Sequence, residues 1–322
     1  MKELKPETQA FLDRVSNFID TEIRPNESLY QQQMEEGGRW CVPPIMEEMK
    51  AKAKAEGLWD FFLPGYEGDF GTGLTNFEYS HLAEKMGAVG ISSEVFNCSA
   101  PDTGNMEVLE RYGTEEQKIK YLVELASGQK IGAFLLSEPE AGSDATSQRT
   151  TAVDMGDYYL MNGTKNWITN GNSASYYVVI AQTDVEKKHK GINVFIVEKA
   201  WDGVTVGKKE DKLGIRGSDT HSIMFQDVKV PKANRIGEDG FGFKFAMKVL
   251  SGGRIGIAAQ ALGIASGAYE LSLKYSKERK AFGTEIKNHQ AIAFKLADMA
   301  TEIEAARLLC FKAAWMKDQN MN

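Results

Sequence analysis

Phe134-Leu-Leu-Ser-Glu-Pro-Glu-Ala-Gly-Ser-Asp144 and, further along the chain, Lys165-Asn-Trp-Ile-Thr-Asn-Gly171 are the two stretches on which the reading of this sequence turns. Ser137, Ser143 and Thr169 bring hydroxyl groups, and the Gly142-Ser143 turn lets backbone N–H groups approach an anion. Trp167 adds a flat apolar wall. Short donors, open amides and an aromatic face together suit a planar ligand rich in hydrogen-bond acceptors. Either stretch alone reads as a Gly/Ser turn followed by an ordinary hairpin. The two in this order favour a site.

Working outward, the hydrophobic periodicity changes twice. Residues 7–33, 44–56, 74–87 and 114–126 carry apolar residues at helical spacing, separated by Pro43-Pro44, Pro64-Gly65 and Pro101. After Gly132 short β-rich runs take over, at Asp157–Met161, Tyr176–Thr183, Ile192–Val197 and His221–Phe225. Asn162-Gly163 gives a two-residue hairpin signal, and Asp184–Lys190 reads as a solvated charged loop. Beyond Pro231 and the Gly-rich Gly237–Gly242, helical spacing returns. In the last helix Ile292, Leu296, Met299, Ile303, Ala306, Cys310 and Ala313 recur at alternating intervals of four and three, the seam of an antiparallel bundle. The pattern predicts an α+β chain of three domains: a helical domain over 1–130, a β domain over 131–236 and a helical domain over 237–322.

Composition narrows the function classes. A chain of 322 residues exceeds the usual size of one core. Hydrophobic residues at 42% and charged residues at 26% describe an ordinary globular protein. Forty-five acidic against 38 basic side chains give a net charge of −7, which argues against a nucleic-acid footprint. Cys41, Cys98 and Cys310 are too few and too scattered for a disulfide framework or a metal site, which favours a reducing compartment, bacterial cytoplasm or mitochondrial matrix. His81, His189, His221 and His289 are equally dispersed and read as surface or capping residues. There is no apolar run of membrane-spanning length, and the charged start Met-Lys-Glu-Leu-Lys does not read as a signal peptide. No G-x-G-x-x-G follows a strand, the clusters Gly68–Gly73 and Gly237–Gly242 having the wrong spacing, and no phosphate-binding loop, zinc spacing or G-x-S-x-G elbow is present.

The two opening stretches closely resemble the signatures that acyl-CoA dehydrogenases wrap around FAD. Further segments extend the resemblance: Lys208-Lys-Glu-Asp-Lys-Leu-Gly-Ile-Arg-Gly-Ser-Asp-Thr220, Phe225-Gln-Asp-Val-Lys-Val-Pro231, Gly252-Gly-Arg-Ile-Gly-Ile-Ala-Ala-Gln-Ala-Leu-Gly263 and Glu278-Arg-Lys-Ala-Phe-Gly283. From about Gly132 onward the chain looks most like the short-chain, butyryl-CoA branch. The stretch Glu94–Leu109 resembles a branch that handles longer or hydroxylated acyl groups. The resemblance implies α,β-dehydrogenation of an acyl-CoA thioester to a trans-2-enoyl-CoA, with FAD as hydride acceptor, an electron-transfer flavoprotein as electron acceptor, and assembly as a homotetramer. By the same carry-over, Thr169 meets the reactive N5 edge of the flavin, Trp167 packs on its ring, and Phe134, Leu136 and Ser137 line the pyrimidine side. Gly142 and Ser143 serve the FAD pyrophosphate, with Ser143 also placed on the substrate side. Arg254 falls near the CoA end, and Arg279 with Phe282 falls where a second subunit meets the FAD phosphates and adenine.

One part of the implied machinery has no counterpart. In the short- and medium-chain branches the catalytic glutamate follows another helix pair, so the resemblance places it beyond Asn322; other branches carry it immediately before the arginine matched by Arg254, where this chain has Gly253. Glu138 and Asp144 belong to the flavin-binding turn, and Glu238 and Asp239 read as helix N-terminal residues. The expectation is a C-terminally incomplete chain that is inactive over 1–322. Two alternatives stay open: an acyl-CoA oxidase of the same fold, and a non-catalytic CoA- or flavin-binding module.

Overall fold

The computed structural model describes residues 3–38, 41–63 and 72–321. The Pro64-Gly65 break, most of the Gly68–Gly73 cluster and Asn322 lie outside the described residues. Helices α1 (Pro6–Phe18), α2 (Glu27–Glu36), α3 (Pro44–Ala55), α4 (Asn76–Gly87), α5 (Ser92–Val95), α6 (Asp102–Tyr112), α7 (Glu115–Gln117) and α8 (Val123–Ala126) come first. Strands β1 (Gly132–Leu135), β2 (Thr151–Asp154), β3 (Tyr158–Thr169), β4 (Tyr176–Gln182), β5 (Ile192–Glu198), β6 (Val204–Lys209), β7 (Thr220–Pro231) and β8 (Arg235–Ile236) follow. The long helices α9 (Gly242–Glu278) and α10 (Gln290–Asp318) flank a hairpin of β9 (Lys280–Ala281) and β10 (Thr284–Glu285). This is the expected helical, sheet, helical order of an α+β chain.

The helix expected over 7–33 is broken. Pro25 has no N–H to give the helical ladder, and a π turn at Ile19–Ile23 and a 3-10 turn at Arg24–Asn26 separate α1 from α2. Helix α6 begins directly after Pro101, which the periodicity reads only as a break.

Two compact units emerge, Met1–Gln31 with Ile45–Cys98 and Gly252–Asn322, and Gln32–Pro44 with Ser99–Ser251. The second is built on a mixed sheet in the order β6-β7-β3-β2-β4-β5-β8, with β1 running parallel beside β4. β4 is the unbroken run Tyr-Tyr-Val-Val-Ile-Ala-Gln, and every residue of it is buried, as a strand covered on both faces requires. Its core gathers Leu135, Tyr159, Ile168, Tyr177, Phe195 and Ile223. Gln117 holds α7 to the region of β8, its Nε2 donating to the carbonyls of Ala233 (2.7 Å) and Arg235 (3.0 Å).

Asn162-Gly163 does not turn a hairpin. Both residues sit inside the twelve-residue β3, where Met161 opposes Val228 and Gly163 opposes Phe225, so β7 carries one residue more. That bulge accommodates Asp227 at φ 53°, and the Asn162 amide exchanges hydrogen bonds with Asp227, 3.1 Å to its carboxylate and 2.9 Å from its N–H. Gly163 is required because a Cβ would stand 2.6 Å from the Thr150 Cα. Pattern alone cannot tell a hairpin from a bulge when the partner strand lies far along the sequence.

In the first unit α4 crosses α9 at two glycines: a Cβ on Gly87 would lie 2.3 Å from the Gln260 carbonyl oxygen, and one on Gly263 would lie 2.0 Å from that of Glu84. Arg307 of α10 grips Glu84 through Nη2 at 2.8 Å and Nε at 3.1 Å. Asp318 caps α4 by accepting from the N–H groups of Asn76 (2.8 Å) and Phe77 (2.9 Å). The seam of α10 therefore runs through Leu296, Arg307, Cys310, Phe311 and Ala314, while Ala306 and Ala313 are exposed.

Candidate functional site

The two opening stretches meet in the second unit. β1 carries Phe134 into the sheet opposite Val178, and the chain then enters a turn closed by the Glu138–Ala141 bridge. β3 passes alongside, the Asn166 N–H donating to the Ser137 carbonyl at 2.9 Å.

A second irregularity in β3 decides what faces outward. Lys165 opposes Ile223 and Ile168 opposes His221, so β3 here carries one residue more than β7. In an uninterrupted strand Lys165 and Trp167 would share a face. The bulge breaks the alternation: Lys165 (0%) and Ile168 (2%) are both inside, and Trp167 is left 61% exposed. Trp167 pays for this with a left-handed backbone, φ 60°, a strain of about 1–3 kcal/mol for a non-glycine residue. Strain of that order beside an exposed aromatic ring is characteristic of a site.

The hydroxyls assigned to the site have no other work. Among the described residues, those of Ser137, Ser143 and Thr169 make no hydrogen bond within the chain. Neighbouring hydroxyls are committed, Thr146 Oγ1 donating to Asp144 at 2.7 Å and Ser147 Oγ to the same carboxylate. Gly142 is exposed and nothing stands within 4 Å of where its Cβ would be, so an incoming group can approach the backbone there. Free donors, an accessible backbone and a bare indole match the needs of a flavin nucleotide.

Beneath this surface lies a buried polar knot. Lys165 Nζ donates to the Leu136 carbonyl (3.1 Å), Glu138 Oε1 (2.8 Å) and Gln148 Oε1 (3.1 Å). Glu138 also accepts from the N–H groups of Arg149 (2.5 Å) and Thr150 (3.0 Å). Burial pushes the Lys165 ammonium down to about 8, against the opposing pull of the Glu138 carboxylate. Burial alone would raise Glu138, but the Lys165 charge and the donated N–H bonds hold it below the ordinary carboxylate value. The Asp144 carboxyl is likewise lowered by its hydroxyl donors. Both carboxylates are already engaged as hydrogen-bond acceptors within the chain.

After Thr169 the chain turns through Asn170, at φ 61°. Asp219 fixes this turn by accepting from the N–H groups of Asn172 (2.7 Å) and Ser173 (3.0 Å) and from the Ser173 hydroxyl (2.9 Å). His221, read from sequence as a surface or capping residue, is buried at 7%, its Nδ1 3.1 Å from the Gly207 carbonyl. Lys165, Glu138 and Asp219 are the organising residues that the sequence reading left without such a role. The available signal was a lysine two residues before the strand-forming run Trp167-Ile168-Thr169.

Gly253, Arg254, Arg279 and Phe282 belong to the other compact unit. Gly253 and Arg254 are exposed on α9, with open space around a Gly253 Cβ. Arg279 precedes the β9–β10 hairpin, whose turn residues Phe282 (φ 52°) and Gly283 (φ 77°) both adopt the left-handed conformation that a two-residue turn of this kind demands. Phe282 is 99% exposed, and its ring meets that of His289 edge-to-face at 6.0 Å. Asp239, expected at a helix N-terminus, instead accepts from the Asn193 amide at 2.9 Å and pairs with Arg235. No described helix is long and apolar enough to cross a membrane, and no cluster among the described residues could hold a metal ion.

Comparison with known proteins gives a consistent result. Family models of the acyl-CoA dehydrogenase N-terminal, middle and C-terminal domains match residues 5–129, 133–228 and 240–322. The short-chain specific acyl-CoA dehydrogenase of Clostridium acetobutylicum is 52% identical over 214 residues, 66% of this chain and 56% of that protein. The caffeyl-CoA reductase-Etf complex subunit CarC of Acetobacterium woodii is 47% identical over 252 residues, 78% of this chain and 66% of that protein. The chain thus aligns with little more than half to two thirds of the length of these relatives. The solved structure of butyryl-CoA dehydrogenase from Megasphaera elsdenii superposes with a TM-score of 0.86 at 39% identity, covering 100% of this chain and 82% of that one.

Proposed function

The chain belongs to the acyl-CoA dehydrogenase family, and from that premise we propose that it holds FAD at the β3 bulge and serves the dehydrogenation of a short-chain acyl-CoA to a trans-2-enoyl-CoA, with an electron-transfer flavoprotein taking the electrons. The observation that carries this reading is the conjunction of an exposed, left-handed Trp167 with three uncommitted hydroxyls at Ser137, Ser143 and Thr169. FAD supplies the hydride acceptor, a chemistry that no side chain provides.

The protein's own part is binding, orientation and electrostatics. Trp167 offers the ring a flat wall, Thr169 a hydroxyl at its edge, and Phe134, Leu136 and Ser137 the pyrimidine side. The Gly142-Ser143 backbone and the Ser143 hydroxyl suit a pyrophosphate or the substrate beside it. The thioester α-proton needs a positioned base, and Glu138 and Asp144 are both engaged elsewhere. Arg254 supplies a cation for the CoA end. Arg279 and Phe282 supply a charge and an aromatic face for FAD bound across a subunit interface, in a homotetramer.

The short-chain assignment is supported by the name of the clostridial relative, and the electron-transfer partner by that of CarC. The test is anaerobic titration of the purified yellow protein with butyryl-CoA and with a longer acyl-CoA. Retention of FAD is the expected result, with only slow bleaching by butyryl-CoA unless a positioned base is supplied, since Glu138 and Asp144 are both engaged. A colourless protein that takes up no added FAD would end the proposal.

A further inference from the structure

We propose that Lys165 is a positioning residue for the flavin site: its buried ammonium locks the 134–144 loop, the entry to β2 and the middle of β3 into the one register in which the bulge presents Trp167 and Thr169. The inference rests on the reading that FAD binds at this bulge. Lys165 itself stays beneath the surface, with 0% exposure.

The geometry carries the argument. An ammonium has three N–H donors, and Lys165 spends them on Leu136 and Glu138 of the loop and on Gln148 just before β2, at 2.8–3.1 Å. Glu138 continues the lock by accepting from the N–H groups of Arg149 and Thr150. The Asn166 N–H then ties the next residue of β3 to Ser137. Three segments distant in sequence are joined at one nitrogen.

Register is the quantity at risk here. A bulge is a point at which a strand can slip, and a slip of one residue exchanges its two faces. With Trp167 turned inward and Lys165 outward, the indole would be lost to a ligand. An apolar side chain at position 165 would be satisfied in many arrangements, whereas the ammonium is satisfied only where three acceptors converge. A buried ion pair is a weak source of stability, and replacement by apolar residues of similar volume is often neutral or stabilising. Its expected contribution is therefore to the uniqueness of the arrangement.

That separation gives the experiment. The wild-type chain, Lys165→Met and the double variant Lys165→Met/Glu138→Leu are compared for stability in urea, FAD dissociation constant, and backbone hydrogen exchange of the FAD-free protein. The double variant is expected to match or exceed the wild type in urea while binding FAD about tenfold more weakly, a change of 1.4 kcal/mol. Exchange should quicken over 134–150 and 164–170 and stay unchanged across β4 and β5. Wild-type FAD affinity and wild-type exchange in a folded double variant would overturn the proposal. If the double variant does not fold, Gln148→Leu removes one acceptor and leaves both charges; faster exchange confined to the same two segments supports the lock, and unchanged exchange refutes it. A wild-type protein that binds no FAD would instead defeat the functional reading, and the exchange data would still decide the lock.

Discussion

The residues assigned to the site in the sheet and those assigned on the long helices are organised in opposite ways. Around Trp167 the chain supplies its own scaffold: a bulge sets the ring's direction, Asp219 fixes the turn beyond it, and a buried lysine joins three segments below. Arg254, Arg279 and Phe282 have no such support, since among the described residues neither arginine side chain makes a hydrogen bond or ion pair and Phe282 is 99% exposed. A preorganised surface can hold a ligand by itself. An exposed arginine and a bare phenyl ring acquire a role only from what is brought to them.

The largest predicted effect attacks the organised half. Glu138→Ala would leave the Lys165 ammonium buried without its counter-charge and should cost about 3–5 kcal/mol in urea denaturation. A loss below about 1 kcal/mol would show that water reaches the lysine and that the knot is not closed.

Acid should act through the same carboxylate. Glu138 titrates lower in the folded chain than the ordinary value of 4.5, so the unfolded chain binds the proton first as pH falls. The stabilisation is therefore complete above about pH 4.5 and is lost as pH drops through the depressed folded value. Glu138→Gln should remove that component from the acid limb of the stability curve. An identical limb in the variant would mean that other carboxylates govern acid unfolding.

Trp167 separates binding from folding. Because it is 61% exposed and strained, Trp167→Ala should change stability by less than about 1 kcal/mol while weakening FAD retention about tenfold, 1.4 kcal/mol. Trp201, which packs against the sheet core, should show the reverse when replaced by Ala, with lower stability and near-normal retention. Equal flavin retention in the two variants would remove Trp167 from the site.

These contrasts also mark what could be read from the sequence. The order of helix, sheet and helix was legible because apolar spacing changes from helical to strand-like at Gly132 and back after Pro231. The strand β4 was visible as the β-rich run Tyr176–Thr183, though not its burial on both faces. That the two opening stretches meet, where the Asn166 N–H reaches the Ser137 carbonyl, was legible from residue type and resemblance. Bulges were not, because each is set by register against β7, some sixty residues along the chain, as Met161↔Val228 illustrates. The lock at Lys165 was hidden for the same reason, since its acceptors come from three positions that only the folded sheet assembles. The Asn162-Gly163 dipeptide shows the cost of reading a local signal without that register.

The smallest predicted effect belongs to the unsupported half. Gly253 lies within α9 with nothing within 4 Å of where a Cβ would stand. A glycine inside a helix is destabilising by about 0.5–1 kcal/mol relative to alanine, because it keeps more freedom in the unfolded chain. Gly253→Ala should therefore raise stability by about that amount, leaving FAD retention unchanged since the sheet-borne surface is built without it. A loss of stability would show that α9 meets a close neighbour at this position in the assembled protein. The contrast between a self-supporting sheet and a surface completed from outside would then be sharpened at a single Cβ.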